Sequence, residues 1–378
     1  MRSFSADFNL DAESIWLNCA HQGPLPKCAV KELKKAAKLK EDPGILDDKL
    51  FFEVPARLKN AIGSLFNIPP AEVILANSAT YTLDILARGS GWEKGDQILL
   101  VDGDFPANIY PWLPLRSKGV DVKLIRPRSG RKLTVKDLEE NLTLQTKALC
   151  VSWVNSFDGS VIDLERIGKY CRENGVLFFV NGSQGFGTKR FDLAKVSVDA
   201  IFSCGFKWLL GPYGTGFGWI KDSVRHEMDY EKPYWLSYLS KGLGDLTDYR
   251  YDNNNKNNLL DIFGTANFFN FLPWISALKY ISDIGTENIE EFNSSLTNKL
   301  ITGIDRNKWH ILSPLAGEDL SSIFVVKPAE NSMSAENWHL YLKERKIFTS
   351  LRENSLRISP HFYNDPGQID SLLHVLNN

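Results

Sequence analysis

The stretch Phe178–Trp219, FFVNGSQGFGTKRFDLAKVSVDAIFSCGFKWLLGPYGTGFGW, decides the fold of this chain. It holds the end of the apolar run VLFFV and the whole run VDAIFS, which have the composition of buried strands. Asn181 and Gln184 follow the first run, and Lys207 follows the second, ahead of the glycine-rich segment GPYGTGFG. A lone loop lysine is ordinarily a solvated charge, but lysine is rarely buried without a partner or a role. The spacing of these three polar residues therefore has to be weighed against the rest of the chain.

Runs of the same kind alternate with helical segments through the first half and more of the chain. The strand-like runs are EVILAN (72–77), QILLVD (97–102), VDVKLIR (120–126), ALCVSWV (148–154), VLFFVN (176–181), VDAIFS (198–203) and FGWIK (217–221). Near-continuous apolar strands that alternate with amphipathic helices indicate an α/β fold with a mostly parallel, seven-stranded sheet covered on both faces. Ligands of such sheets bind beyond the carboxyl ends of the strands, where the polar candidates lie.

Composition excludes several functional classes. The 378 residues are 43% hydrophobic, and the net charge of -2 favours neither nucleic acid nor an anionic membrane as a partner. The N-terminus has no apolar signal region, and no run reaches the roughly 18 apolar residues of a membrane span. The five cysteines form no CxxC pair and have no zinc-ligand spacing. We therefore expect reduced thiols in a cytoplasmic protein.

The length predicts two lobes. We expect residues 1–20 to join a small domain, residues 21–260 to form the large domain, and residues 261–378 to complete the small C-terminal α/β domain. The asparagine-rich segment 251–258 has the composition of a solvated loop. A helix predicted over 55–67 has Pro55 in its first turn, where proline is tolerated.

The segment FKWLLGPYGTGF (206–217) resembles the [HY]KWLLGPxGTGF motif of the class V aminotransferase family of pyridoxal-phosphate enzymes, with Phe206 in place of the usual histidine or tyrosine. The resemblance covers the chain from about Trp16 to Leu376. Within the family, the chain resembles isopenicillin N epimerase-like and cysteine desulfurase-like members. It implies a fold type I enzyme with pyridoxal 5'-phosphate on a Lys207 Schiff base. It also implies a homodimer with shared active sites and an amino-acid substrate.

The resemblance implies a role for further residues, position by position. Ser78, Ala79, Thr80 and Ser203 would contact the cofactor phosphate, and Thr265 would contact the phosphate of the neighbouring subunit. Phe105 would stack on the ring, while Asn155 and Gln184 would approach the phenolic oxygen. Arg352, or as second choice Arg357, would clamp the substrate carboxylate, and His21 would border the substrate.

Asn181 departs from the family pattern, which has an aspartate at this position as partner of the ring nitrogen. A charge-assisted hydrogen bond contributes roughly 1.5–3 kcal/mol against about 1 kcal/mol for a neutral one, so the ring becomes a weaker electron sink. Three explanations stay open: a reaction that tolerates the weaker sink, a cofactor-binding homologue with little or no turnover, or deamidation of Asn181 to aspartate.

A second departure is the absence of any cysteine after Cys204. Desulfurases of this fold carry a nucleophilic cysteine in the C-terminal lobe, so the sequence disfavours a reaction through a protein persulfide. We therefore expect an enzyme that acts at the α-carbon of an amino acid, as an aminotransferase, lyase or epimerase. The non-catalytic binding protein is the alternative.

Overall fold

A computed structural model describes residues 4–128, 130–229, 234–238, 243, 246–247, 258–264, 267–330 and 332–378. The main sheet has seven strands in the order β2-β8-β7-β6-β5-β3-β4. The strands are β2 (Ile74–Ala76), β3 (Gln97–Val101), β4 (Asp121–Ile125), β5 (Thr146–Ser152), β6 (Leu177–Asn181), β7 (Ala200–Cys204) and β8 (Gly216–Ile220). Only β8 runs against its neighbours, and the other described pairs are parallel. The predicted α/β fold with a mostly parallel sheet is confirmed.

Helices precede, separate and follow these strands. They are α1 (Lys27–Glu41), α2 (Leu50–Phe66), α3 (Ala79–Gly89), α4 (Val135–Glu139), α5 (Leu164–Glu173), α6 (Asp222–Glu227), α7 (Phe268–Ile284), α8 (Thr286–Gly303), α9 (Ala335–Glu344) and α10 (Pro366–Asn377). The position of Pro55 was predicted wrongly, because α2 begins at Leu50 and Pro55 lies inside it. A proline within a helix lacks the N–H that would donate to the carbonyl four residues before it, so the mostly apolar residues LFFEV extend the helix ahead of Pro55 at the cost of that hydrogen bond.

A second sheet lies in the C-terminal part of the chain. It has the order β12-β13-β10-β9, and all its pairs are antiparallel. Its strands are β9 (Trp309–Ile311), β10 (Phe324–Pro328), β12 (Ser350–Arg352) and β13 (Ser355–Ile358). β1 (Ile15–Trp16) pairs in parallel with β11 (Ile347–Phe348), so the N-terminal segment contacts the C-terminal part. The domain boundaries themselves stay a prediction, and residues 251–257 of the predicted loop lie outside the described residues.

The two faces of the main sheet pack into different apolar clusters. Phe178 and Phe179 are adjacent in β6 and fully buried, and strand geometry sends them to opposite faces. On one face Phe66 stacks on Phe217 with ring centroids 5.3 Å apart, and on the other Trp112 stacks on Phe179 at 6.0 Å. Burying one such side chain stabilises the fold by about 1.5–3 kcal/mol. This rigid sheet fixes the ends of β5, β6 and β7 relative to one another.

Over the described residues, no helix combines the length and the apolar character that crossing a membrane requires.

Candidate active site

A cavity of about 240 Å³ opens at the carboxyl ends of the parallel strands. Ten of the predicted site residues line it: His21, Ser78, Ala79, Thr80, Phe105, Asn181, Gln184, Lys207, Arg352 and Arg357. They come from segments up to several hundred residues apart in sequence, and the sheet brings them together. The structure therefore places most of the predicted residues around one cavity.

Lys207 lies in the loop after β7, and close packing fixes its backbone. The amide of Gly23 donates to Phe206 O at 3.0 Å, and a Cβ atom on Gly23 would lie 2.2 Å from Lys207 O. Only glycine fits there, which explains why the motif around His21 contains it. Among the described residues, Lys207 Nζ has no carboxylate or hydrogen-bond acceptor as a partner; it lies 5.4 Å from the centre of the Phe105 ring.

The environment of Lys207 favours the neutral amine. Burial lowers the pKa of Lys207 below its usual value, and the positive charges of Arg357 and Arg352 lower it further, against an opposing effect of Cys204. A neutral amine is the nucleophile that reacts with a carbonyl group. The lowered pKa of Lys207 increases the fraction of this nucleophilic form at a given pH.

Gln184 holds the residue next to the lysine. Its Oε1 accepts the indole N–H of Trp208 at 2.7 Å, and its Nε2 donates to Ala20 O at 3.0 Å and to Ser156 Oγ at 3.3 Å. Both hydrogens of the Gln184 amide are therefore used within the protein. Contact with the phenolic oxygen stays a prediction, and the bonds that the structure does contain position the lysine loop.

The first turn of α3 lines the cavity, and no side chain caps its N-terminus. Ser78 precedes the helix in an extended conformation and makes no side-chain cap, because its hydroxyl bonds to Asn77 Oδ1 at 3.1 Å. The backbone N–H groups of the first turn are thus not covered by a capping side chain, and Ser78, Ala79 and Thr80 line the cavity. A cofactor phosphate fits this arrangement of donors and helix dipole.

Arg357 provides an unsatisfied cation in the same cavity. It is 2% exposed, and its Nη1 donates to Ser156 O at 3.1 Å, whereas its buried Nε and Nη2 atoms have no partner in the described structure. Burial lowers its pKa to about 9, with a smaller effect of Arg352. Among the described residues that line the cavity there is no aspartate or glutamate. Nε and Nη2 form one edge of the guanidinium group, which matches the two oxygens of a carboxylate.

Arg352 lies on β12, paired with β13, which carries Arg357. It is half-buried, and its Nη1 donates to Leu351 O at 2.7 Å. Burial lowers the pKa of Arg352. The pKa of His21 is also lowered, first by burial and then by the positive charges of Arg352, Arg357 and Lys207. The sequence analysis ranked Arg352 first as the carboxylate ligand. The deeper burial of Arg357 and its free N–H donors favour Arg357 for that role instead.

Asn181 ends β6 and is hydrogen-bonded on both sides of its amide. Its Nδ2 donates to Asn108 Oδ1 at 2.7 Å, and its Oδ1 accepts the amide of Ser183 at 2.9 Å. Deamidation needs the backbone nitrogen of Gly182 to attack the Asn181 side chain, but that N–H donates to Phe202 O at 2.9 Å. The strand end thus opposes the deamidation that the sequence left open.

Two predicted residues, Asn155 and Ser203, do not line the cavity, and the structure does not describe a third. Asn155 lies outside it, where its Oδ1 accepts the amide of Phe157 at 2.8 Å. Ser203 is buried with its hydroxyl on Cys204 O at 3.0 Å. Thr265 lies outside the described residues. The cofactor roles of all three stay predictions.

Sequence reasoning missed seven further residues that line the cavity, most of them small. They are Ser152, Ser156, Ser183 and Cys204, together with Ala20, Ala107 and Phe206. The signal was their position, because the serines and the cysteine end β5 or β7 or follow β5 or β6 closely. Within the described part of the chain, no group of three or more His, Cys, Asp or Glu residues has metal-binding geometry.

Comparison with known proteins places the chain in a family. The family model for aminotransferase class-V matches residues 50–372. A protein of Methanothermobacter thermautotrophicus named "Probable cysteine desulfurase" is 24% identical over 98% of this chain and 96% of its own length. Isopenicillin N epimerase of Streptomyces clavuligerus is also 24% identical, over 97% of this chain and 95% of its own length.

A solved structure has the same fold. It is a complex of the cystine C-S lyase C-DES with its reaction product cysteine persulfide, with a TM-score of 0.87, 21% identity, and coverage of 97% of this chain and 98% of that chain. The fold is that of the fold type I pyridoxal-phosphate enzymes, as the sequence predicted. The chain belongs to the aminotransferase class-V family, the family of pyridoxal-phosphate enzymes that its lysine and glycine motif indicated.

Proposed function

We propose that the chain is a pyridoxal-phosphate enzyme that acts at the α-carbon of an amino acid, with Lys207 as the Schiff-base lysine. One observation carries the proposal: within the described part of the chain, a lysine amine with no hydrogen-bond acceptor shares a cavity with an uncapped helix N-terminus and a buried arginine with unsatisfied donors. These groups match the aldehyde, the phosphate and the substrate carboxylate in turn.

When bound, pyridoxal phosphate withdraws electrons from the α-carbon of an amino acid. The residues of the chain would do the rest. The N–H groups of the first turn of α3 would bind the phosphate, and Arg357 Nε and Nη2 would bind the carboxylate as a bidentate pair. Lys207 Nζ would accept the proton from the α-carbon of the bound amino acid. Its lowered pKa keeps it neutral over a wider pH range and so able to accept that proton.

Among the possible reactions we favour elimination at the β-carbon of a sulfur-containing amino acid. The related C-DES structure is named a cystine C-S lyase, and several relatives are named cysteine desulfurases. The chain has no cysteine after Cys204, so a lyase reaction that needs no protein thiolate fits better than a desulfurase reaction. For cystine the balance is cystine plus water to pyruvate, ammonia and cysteine persulfide.

Product analysis tests this proposal. The purified protein, saturated with pyridoxal phosphate, would be incubated with L-cystine, L-cysteine, L-alanine and L-glutamate, with and without a keto acid as amine acceptor. We expect pyruvate, ammonia and persulfide sulfur from L-cystine without an acceptor, and none from the Lys207→Ala variant. Amine transfer to the keto acid, or a racemised amino acid, would replace the lyase assignment by a transferase or an epimerase.

A second candidate is a cofactor-binding homologue with little or no turnover. The neutral Asn181 at the position of the family's aspartate favours it. Binding of the cofactor with no product and no spectral change on any amino acid would support this candidate against the enzyme.

The homodimer and the cytoplasmic location remain proposals as well. The match of Thr265 to the threonine that relatives direct to a neighbouring subunit supports the homodimer. Sedimentation equilibrium would test it, and a monomer at micromolar concentration that still turns over substrate would contradict the shared active site.

A further inference from the structure

Asp104 is a buried carboxyl group that the proposed function does not use. It is 5% exposed and precedes Phe105 in the loop after β3. Its oxygens accept the backbone amides of Phe105 at 2.6 Å and Ser152 at 2.8 Å. No ion pair joins it to a cation over the described ranges, and burial raises its pKa against the effect of these bonds. A buried acid without a cation is costly to keep, so its remaining contact is informative.

That remaining contact begins a chain of hydrogen bonds to Asn181. Asn108 is 1% exposed, and its Nδ2 donates to Asp104 Oδ2 at 2.8 Å and to Ser152 Oγ at 2.8 Å. Its Oδ1 faces the other way and accepts Asn181 Nδ2 at 2.7 Å. Each donor along the chain thus points towards the carboxylate.

The direction of the chain has an electrostatic consequence. An amide whose N–H groups donate to an anion has a more negative carbonyl oxygen, and such bonds polarise one another in a low dielectric. Asp104 makes Asn108 Oδ1 a stronger acceptor, and Asn108 in turn makes Asn181 Oδ1 a stronger acceptor. The carboxylate also fixes the orientation of both amides, because a reversed Asn108 would direct its oxygen at Asp104.

We propose that Asp104 is a positioning residue that acts through Asn108 on Asn181. From the loop after β3, it supplies part of the negative charge that the protein lacks at residue 181, where the family has an aspartate. The proposal rests on the proposed function, since it concerns the side chain that the family places at the ring nitrogen. It accounts for the buried acid and for the neutral amide together. A purely local role, in which Asp104 only shapes the Phe105–Asn108 turn, predicts no dependence on residue 181.

A double-mutant cycle separates the two roles. The variants are Asp104→Asn, Asn181→Asp and the double variant, and the readout is the dissociation constant of pyridoxal phosphate, followed by its visible absorption. In the double variant the direction of the hydrogen bonds is reversed. The anion is then at residue 181, and the side-chain amide of Asn108 is rotated so that its N–H groups face that residue. We expect Asp104→Asn to weaken binding by about fivefold to tenfold when residue 181 is asparagine, and not to weaken it when residue 181 is aspartate. Equal weakening in both backgrounds would overturn the proposal.

Controls and a second measurement keep the outcomes distinct. Asp102→Asn removes an exposed carboxylate from the same loop and should leave the dissociation constant within about twofold, as expected for a surface charge. If Asp104→Asn does not fold, Asn108→Ala breaks the chain in its middle, and Asn181→Asp should again rescue binding.

The cycle is repeated on cofactor-free protein, using the midpoint of urea unfolding. There, Asn181→Asp should lower the midpoint when residue 104 is aspartate, because two acids then flank one amide, and should not lower it when residue 104 is asparagine. The absence of this dependence would contradict the chain of hydrogen bonds. Failure of the unaltered protein to bind pyridoxal phosphate would instead contradict the proposed function and leave this second cycle as the test.

Discussion

The indole N–H of Trp208 donates to Gln184 Oε1 at 2.7 Å, so that the residue after the candidate Schiff-base lysine is tied to the end of β6. Both side chains are buried. Trp208 also packs edge-on against the ring of His361, with centroids 5.2 Å apart. The lysine loop is therefore held from the main sheet and from the C-terminal part of the chain at once.

Removing the acceptor should destabilise the protein. In Gln184→Leu the indole N–H is left buried without a partner, which costs about 1–3 kcal/mol of unfolding free energy. Urea denaturation monitors the loss. Trp208→Phe removes the donor, and the double variant should lose less than the sum of the single variants. Strict additivity would show that the bond has no energetic weight.

Arg357 should contribute to substrate binding but not to the stability of the folded protein. Because its Nε and Nη2 are buried without partners, Arg357→Leu should leave the thermal midpoint of the cofactor-free protein unchanged or higher. The same change should raise KM for the amino acid by roughly 30-fold or more, as loss of a buried charge contact costs about 2–5 kcal/mol. Arg352→Leu is the matched control with a smaller expected effect. The reverse order of the two effects would restore Arg352 as the carboxylate ligand.

The amine of Lys207 should titrate below the usual lysine range. Burial is the main cause, and it lowers the pKa of Lys207 in the folded state relative to the unfolded chain. Below its folded pKa the buried ammonium opposes folding, and this cost fades as pH rises towards about 10.5, the value for an unfolded lysine. Competitive acetylation of cofactor-free protein at several pH values, with peptide analysis, measures the pKa directly. A midpoint at or above 10.5 would contradict the prediction.

Cys204 lines the cavity but should not be a nucleophile. Cys204→Ala should retain pyruvate formation from L-cystine within about threefold, because a lyase reaction uses no protein thiol. The matched control is Cys171→Ala, which removes a buried thiol that does not line the cavity. Loss of sulfur release in the first variant alone would assign Cys204 a chemical role and support a desulfurase reaction.

Much of the fold could be predicted from the sequence, because the spacing of apolar residues and the positions of turn residues are local signals. The sequence predicted all seven strands of the main sheet, and its lysine and glycine motif includes Lys207, which lines the candidate cavity. The hydrogen bonds Asp104–Asn108–Asn181 could not be predicted from the sequence. They depend on the orientation of three side chains that come together only when the loop after β3 lies beside the end of β6. The orphaned edge of Arg357 is likewise a property of packing, and the sequence alone ranked Arg352 above it.

The central claim is that Lys207 binds pyridoxal phosphate covalently. The protein would be incubated with the cofactor, reduced with borohydride, digested, and mapped by mass spectrometry. We predict one pyridoxyl phosphate group per chain on the peptide that contains Lys207, together with visible absorption before reduction, and neither in Lys207→Ala. Label spread over surface lysines, or equal label in the variant, would contradict the account.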